Sequence, residues 1–302
     1  MPPNPNRRFL FQFQLVRSRD RDNYQAVLTM PKVFHPELFA LLAFNVELAL
    51  VREKISAQHG TDAAGMYRLQ FWRDALSAIY GDSVAPVPRQ PVAIALCTFA
   101  PRASLSLLDS LVVARQQTIG DRPFKTMKDL ENYGKSTTGA LLSLQLDALS
   151  RRSSDGKFPE VAIQAATELG VAYGVINLAR SFLPLLSKGV VLLPSDLMAL
   201  YGLTPDRVYN RKDPDGLVNL AKDLVASAHL ASSRGFTPSV PRAHRRALAP
   251  TSSIVDYIIN RTIEVLHELP ELGRLNLLWN RSLTTQYFPS MEYTQEYKNT
   301  AS

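Results

Sequence analysis

Glu47 stands on a predicted helix that is apolar on almost every side between Leu38 and Val51. A carboxylate withdrawn from water must be paired or protonated. Arg68, Arg73 and Arg180 are basic residues able to pair with it; otherwise it faces a pocket as an acid. The next acid on the same helix, Glu53, lies six positions further on and is turned about 120° away around the helix axis. Two acids three or four positions apart share a helix face and can grip one metal ion; these two cannot.

Metal-ligand spacing is absent elsewhere too. His35, His59, His229, His244 and His267 lie far apart, and Cys97 is the single cysteine, so no local zinc site can form. Neither a Gly-rich phosphate loop nor a nucleophile elbow occurs. No catalytic residue and no metal ligand is assigned on these grounds. Cys97 lies in the apolar run Val92–Phe99 and reads as a core residue. Without a partner it forms no intrachain disulfide and favours a reducing compartment. Two further groups carry charge: Asn177, Arg180, Ser181, Leu185 and Lys188 on the stretch Gly174–Pro194, and the basic segment Arg242-Ala-His-Arg-Arg246.

The elements that must position these residues are helical. A short helix from Asp20 stops near Pro31, and the apolar helix follows with Pro36 in its first turn, where proline fits. Its apolar stretch of about fourteen residues, interrupted by Asn45 and Glu47, is too short and too polar to span a bilayer, and no other run is expected to reach that length. From Ala63 to Tyr80, Met66, Leu69, Trp72, Leu76 and Ile79 recur at helical spacing. Beyond a Pro-rich connector (86–91), helices are predicted near 92–100 and 103–118. Asp129–Leu149 forms another, with Gly134, Ser136, Gly139 and Ala140 small enough for a neighbour to approach closely. Residues 150–158 read as a polar surface loop. Helices then follow at 159–187 and 214–232, a Pro-containing segment at 235–250, and a helix pair at 251–268 and 271–283. Only Gly189–Leu193 hints at a strand, too isolated to build a sheet. The fold class is all-α.

With 302 residues, 46% hydrophobic and 20% charged, the chain can bury one large core, and the helices from 20 to 288 read as one domain. The net charge of +7 is scattered, which argues against nucleic acid and suits an anionic membrane surface or a solvated basic face. Before Asp20 there is no acid, while Arg7, Arg8, Arg17 and Arg19 alternate with Phe9, Leu10, Phe11, Phe13 and Leu15. That composition reads as a mitochondrial targeting segment over 1–19, or as a disordered N-terminus. A polar, disordered tail is expected over 289–302.

The order of Tyr24…Leu28-Thr-Met-Pro31, Ala40-Leu-Leu-Ala-Phe44, Phe71-Trp-Arg-Asp-Ala-Leu-Ser-Ala-Ile-Tyr-Gly81, Gln90-Pro-Val-Ala93, Tyr133…Thr138-Gly139, Ile176-Asn-Leu-Ala-Arg180 and Leu192-Leu-Pro194 resembles the squalene/phytoene synthase superfamily. The resemblance implies a single-domain, isoprenoid-synthase-like helical bundle. It also implies a chemistry: active members join isoprenoid diphosphates using Mg²⁺ held by acids on two facing helices, since Mg²⁺ prefers hard oxygen ligands. Where their first acidic motif falls, this chain has Ala49, Leu50 and Glu53. Where the second places aspartates, it has Ser181 and Leu185. A face carrying Arg180, Ser181, Leu185 and Lys188 repels Mg²⁺.

Ala43-Phe-Asn-Val-Glu-Leu-Ala-Leu-Val-Arg-Glu53, Arg68-Leu-Gln-Phe-Trp72, Asp129-Leu-Glu-Asn-Tyr133 and Ala228-His-Leu230 are similar to one branch of that superfamily, the mitochondrial complex I assembly factors, which keep the fold and lack the acids. This resemblance implies a non-catalytic protein without cofactor on the matrix side of the mitochondrial inner membrane. Its partners would be complex I assembly intermediates around the membrane subunit ND1, with peripheral membrane contact. An active Mg²⁺-dependent prenyltransferase is the alternative. A residual pocket would draw on Phe44, Glu47, Arg68, Trp72, Tyr133, Asn177 and Arg180; the aromatics Phe44, Phe71, Trp72, Tyr133 and Tyr173 either line a prenyl-sized cavity or simply pack the core.

Overall fold

The computed structural model describes residues 5–267 apart from 58–61, 82, 121, 152–158, 211, 236 and 238. Thirteen α-helices follow one another among the described residues, with no strand between them. Of the loop predicted at 150–158, residues 152–158 lie outside the described residues, as do the helix at 271–283 and the tail from 289.

The N-terminal half is built around α3 (His35–Ala57), on which α1 (Pro5–Arg19), α2 (Arg21–Leu28), α4 (Asp62–Tyr80), α5 (Pro91–Phe99) and α6 (Leu105–Gln117) pack. Every residue from Leu38 to Phe44 is at most 1% exposed. This helix therefore has no solvent face over two turns, as its unbroken apolar pattern requires. Gln90 and Pro91 end the Pro-rich connector by starting α5: the Gln90 side chain accepts the Ala93 N–H at 2.8 Å, and Pro91 occupies the first turn.

The C-terminal half is built around α9 (Glu160–Leu186), which packs on α12 (Pro214–Gly235) and α13 (Arg242–His267), with the short α10 (Ser195–Leu200) and α11 (Pro205–Tyr209) alongside. Between the halves runs one bent rod: α7 (Met127–Gly134), a π-helical turn at Lys135–Gly139, and α8 (Ala140–Ser150). The small residues predicted to admit a neighbour do so. A Cβ added to Gly170 of α9 would lie 2.3 Å from the Gly139 nitrogen, and one on Gly174 would lie 2.8 Å from the Gly134 Cα. Backbone meets backbone here, and the π turn lies at that crossing.

Several expectations are corrected. Residues 5–19 are a helix of the body: Gln12 and Val16 are fully buried, and the Phe13 ring packs edge-on against Tyr24 at 5.1 Å and Phe39 at 5.2 Å. This helix, in the stretch expected as a targeting segment or a disordered N-terminus, packs on α2 and α3. Helix α13 starts at Arg242 and runs through Pro250. A proline inside a helix costs about 3 kcal/mol, but Leu248, Thr251, Ser252, Val255, Ile258 and Ile259 are buried by this helix, and their packing outweighs it. Two stretches, Lys32–Arg52 and Glu160–Phe182, do have the length and hydropathy of a bilayer span. They are the central helices of the two halves, with 50% and 61% of those stretches buried inside the protein. Cys97 is exposed: α5 turns Val92, Ala93, Ala95 and Leu96 inward, which leaves position 97 on the opposite side.

Candidate functional site

The sequence-derived pocket residues separate into distinct groups. Phe44 and Trp72 join in the N-terminal core, rings edge-on at 5.3 Å and both at most 4% exposed. Phe71, next to Trp72, is 40% exposed. Arg68 is exposed on α4, on the outside of the bundle. Glu47 is half-buried on α3, and no ion pair among the described residues includes it. Two of the cations considered for it are committed elsewhere: Arg73 to Asp109 at 2.7 Å and Arg180 to Asp22 at 2.9 Å. Ala49 is exposed and Leu50 half-buried on the same helix; Glu53 lies on α3 with its side chain outside the described residues.

One buried polar cluster forms between α3 and α6. The Arg115 guanidinium donates to the Leu111 carbonyl at 2.8 Å and to the Asn45 side-chain oxygen at 2.6 Å. Burial pulls Arg115 below its ordinary value; Tyr133 opposes that, and the neighbouring Arg52 cation adds to it. Arg52 in turn donates to the Thr118 carbonyl. Tyr133 is half-buried and packs on Phe124, ring centroids 5.6 Å apart. Asn45, two positions before Glu47 on α3, thus accepts from a protein cation through a neutral oxygen.

The second cluster joins α2 to α9. Asp20 caps α2, accepting the Asn23 backbone N–H at 3.3 Å and its side-chain N–H at 2.9 Å. Arg180 donates to Asp22 at 2.9 Å and to Asn177 at 2.6 Å. Tyr173, 7% exposed, lies beside Asn177 and Arg180. Burial pushes the Tyr173 phenol up, and the Asp20 charge pushes it further. Burial also raises Asp20, against the two Asn23 hydrogen bonds. For Arg180 burial acts downward, but Tyr173 and Asp22 outweigh it, so the guanidinium is held charged.

Beyond Arg180 on α9, the Ser181 hydroxyl donates to the Leu178 carbonyl at 3.4 Å, and Leu185 packs against the C-terminal core. Asp20 and Asp22 escaped the sequence reading as site residues. The signal was there in the Asp-Arg-Asp-Asn start of α2, but it reads locally as a helix cap. Among the described residues, no three His, Cys, Asp or Glu side chains gather where one ion could be held. In the second cluster Asp20 serves a helix start and Asp22 a protein cation. Such an arrangement locks helices together; it offers cations to an anion more readily than carboxylates to a divalent metal.

Comparison with known proteins follows this geometry. The family model for squalene/phytoene synthase matches residues 16–271. The chain belongs to the squalene/phytoene synthase family. Its fold is correspondingly that of a dehydrosqualene synthase, TM-score 0.69 and 18% identity over 97% of this chain and 96% of that one. It is also that of squalene synthase HpnC from Alicyclobacillus acidocaldarius, TM-score 0.72 and 17% identity over 88% and 97%. Among curated relatives in sequence, NADH dehydrogenase (ubiquinone) complex I, assembly factor 6 of Mus musculus is 31% identical over 92% of this chain and 81% of its own length. The Homo sapiens protein of that name is 31% identical over 88% and 77%, and a Drosophila melanogaster homologue 28% identical over 77% and 69%. Within the family, this chain is thus more similar to these proteins in sequence than to those two synthases, although it shares the synthases' fold.

Proposed function

We propose that this chain is a mitochondrial complex I assembly factor that uses the squalene/phytoene synthase fold without its chemistry. The observation that carries the proposal is the 31% identity to assembly factor 6 across 92% of the chain. The protein acts early, with complex I assembly intermediates around the ND1 membrane subunit, on the matrix side of the inner membrane and in peripheral contact with it. No cofactor is required for that role.

The internal chemistry of the chain supports a non-catalytic reading. Ser181 and Leu185 stand where the second acidic motif would lie, and the preceding Arg180 is held by Asp22, Asn177 and Tyr173. On the α3 side, Arg115 is bound to Asn45. Both regions hold fixed cations, and a fixed cation raises the electrostatic cost of a divalent metal nearby. Tyr133, Asn177 and Arg180 then serve as struts of the bundle, in place of a pocket.

Deletion of the protein tests this directly. The expected result is loss of assembled complex I with an unchanged isoprenoid lipid profile. The purified protein should release no diphosphate and form no product from farnesyl or geranylgeranyl diphosphate with Mg²⁺. Mg²⁺-dependent product formation would establish the alternative, an active prenyltransferase, and end the non-catalytic proposal.

A further inference from the structure

The basic segment singled out in the sequence forms a structured feature unrelated to the buried clusters. Arg242, Arg245 and Arg246, with Ala249, line an open cleft of about 290 Å³ at the first two turns of α13. The first turn of this helix contains no acidic residue, and none of the described ion pairs uses any of the three arginines. Most arginines with a described ion pair elsewhere have a strong partner: Arg73 has Asp109, Arg151 has Glu37 and Asp147, Arg180 has Asp22, Arg234 has Glu168. Among the described residues, Arg242, Arg245 and Arg246 have no such partner and stand together on one helix face.

A second observation comes from Arg245. Its Nε is buried and has no hydrogen-bond partner. A buried N–H left unpaired is costly, more so on a charged group, and no protein acceptor meets this one. Three guanidinium groups offer planar donor pairs that match the oxygens of a phosphate. The start of a 26-residue helix adds unpaired backbone N–H groups and the positive end of its dipole. The cleft volume lies at the small end of ligand sites. It accommodates a phosphate with a short polar attachment.

We propose that this cleft binds a phosphate mono- or diester group, supplied by a phospholipid headgroup or by a small soluble phosphate compound. The inference stands on the arginines and the cleft, and it is independent of the assembly role.

Full-length protein is titrated with inorganic phosphate by calorimetry, and separately sedimented with phosphatidylcholine vesicles with and without phosphatidylglycerol. Wild type binds at least one of the two anionic probes, and the combined Arg242→Gln, Arg245→Gln, Arg246→Gln variant loses at least about tenfold in affinity. Ala249→Trp fills the cleft without changing charge and loses binding to a similar extent; it carries the test should the triple variant fail to fold. Binding to phosphatidylglycerol vesicles that phosphate displaces identifies the lipid headgroup. Phosphate binding without vesicle binding identifies a soluble phosphate compound. The proposal is overturned if wild type binds neither probe, if the folded triple variant binds both as well as wild type, or if Ala249→Trp binds undiminished, since charge alone would then account for the attraction.

Discussion

Replacing Gly170 by alanine tests how closely the two halves of the bundle approach. The added Cβ would lie 2.3 Å from the Gly139 nitrogen, 2.4 Å from its Cα and 3.1 Å from the Gly134 carbonyl oxygen. Carbon needs about 3.5 Å from such neighbours, so α9 and the π turn would have to separate by roughly 1.2 Å. All three obstructing atoms are backbone, and no side-chain rotation relieves the clash. Overpacking of this kind costs about 1–3 kcal/mol and occasionally more. Alanine also improves helix propensity by about 1 kcal/mol over glycine, which acts in the opposite direction. The backbone clash places the cost at the upper end or beyond it, leaving Gly170→Ala destabilised by about 2 kcal/mol. For a domain of this size that lowers the melting temperature by roughly 3–4 °C. Thermal and urea unfolding followed by circular dichroism measure it. A variant as stable as wild type, or more stable, would mean that helix propensity dominates and that the two backbones do not meet as described.

Three further outcomes follow from the buried polar groups and the corrected surface. Asp20 has a raised pKa in the fold, so between its ordinary value of 3.8 and the folded value the native state holds more protons than the unfolded chain. Its contribution to stability therefore decreases as pH rises through that window; Asp20→Asn, which keeps the cap, should flatten this part of the stability curve, and an unchanged curve would contradict the burial of the carboxylate. Arg180→Met should cost about 1–3 kcal/mol by leaving Asn177 short of a partner, with Asp22 contributing less because it is 36% exposed; denaturant midpoints of Arg180→Met and Asp22→Asn report it, and two wild-type midpoints would dismiss the network as structural. Cys97 should react with a thiol reagent in the native protein at a rate near that of the unfolded chain, since it is exposed; protection until unfolding would restore it to the core.

Much of the fold was legible because apolar periodicity is a local property. Leu38–Phe44 announced a helix buried on all sides, and Gly134 and Gly139 announced a close crossing, since only small residues leave room for one. The site was legible only in part. The replacements at Ser181 and Leu185 can be read from the chain alone, whereas the Glu47 pairing expected with Arg73 or Arg180 fails in the structure because each cation found an acid on another element. Pro250 reads as a break on local rules, yet the burial of Leu248, Val255 and Ile259 carries the helix through it.

The amino-acid order by itself determined the helical class, most helix positions and family membership. These depend on residues near one another or on a motif's own letters. Tertiary structure alone decided that Arg180 pairs with Asp22, 158 positions away, that Gly170 faces Gly139, that Cys97 points outward and that three arginines line one cleft. Each of these depends on the rotation and approach of packed helices. A side chain's partner is set by where the helix faces end up in space, which local sequence does not encode.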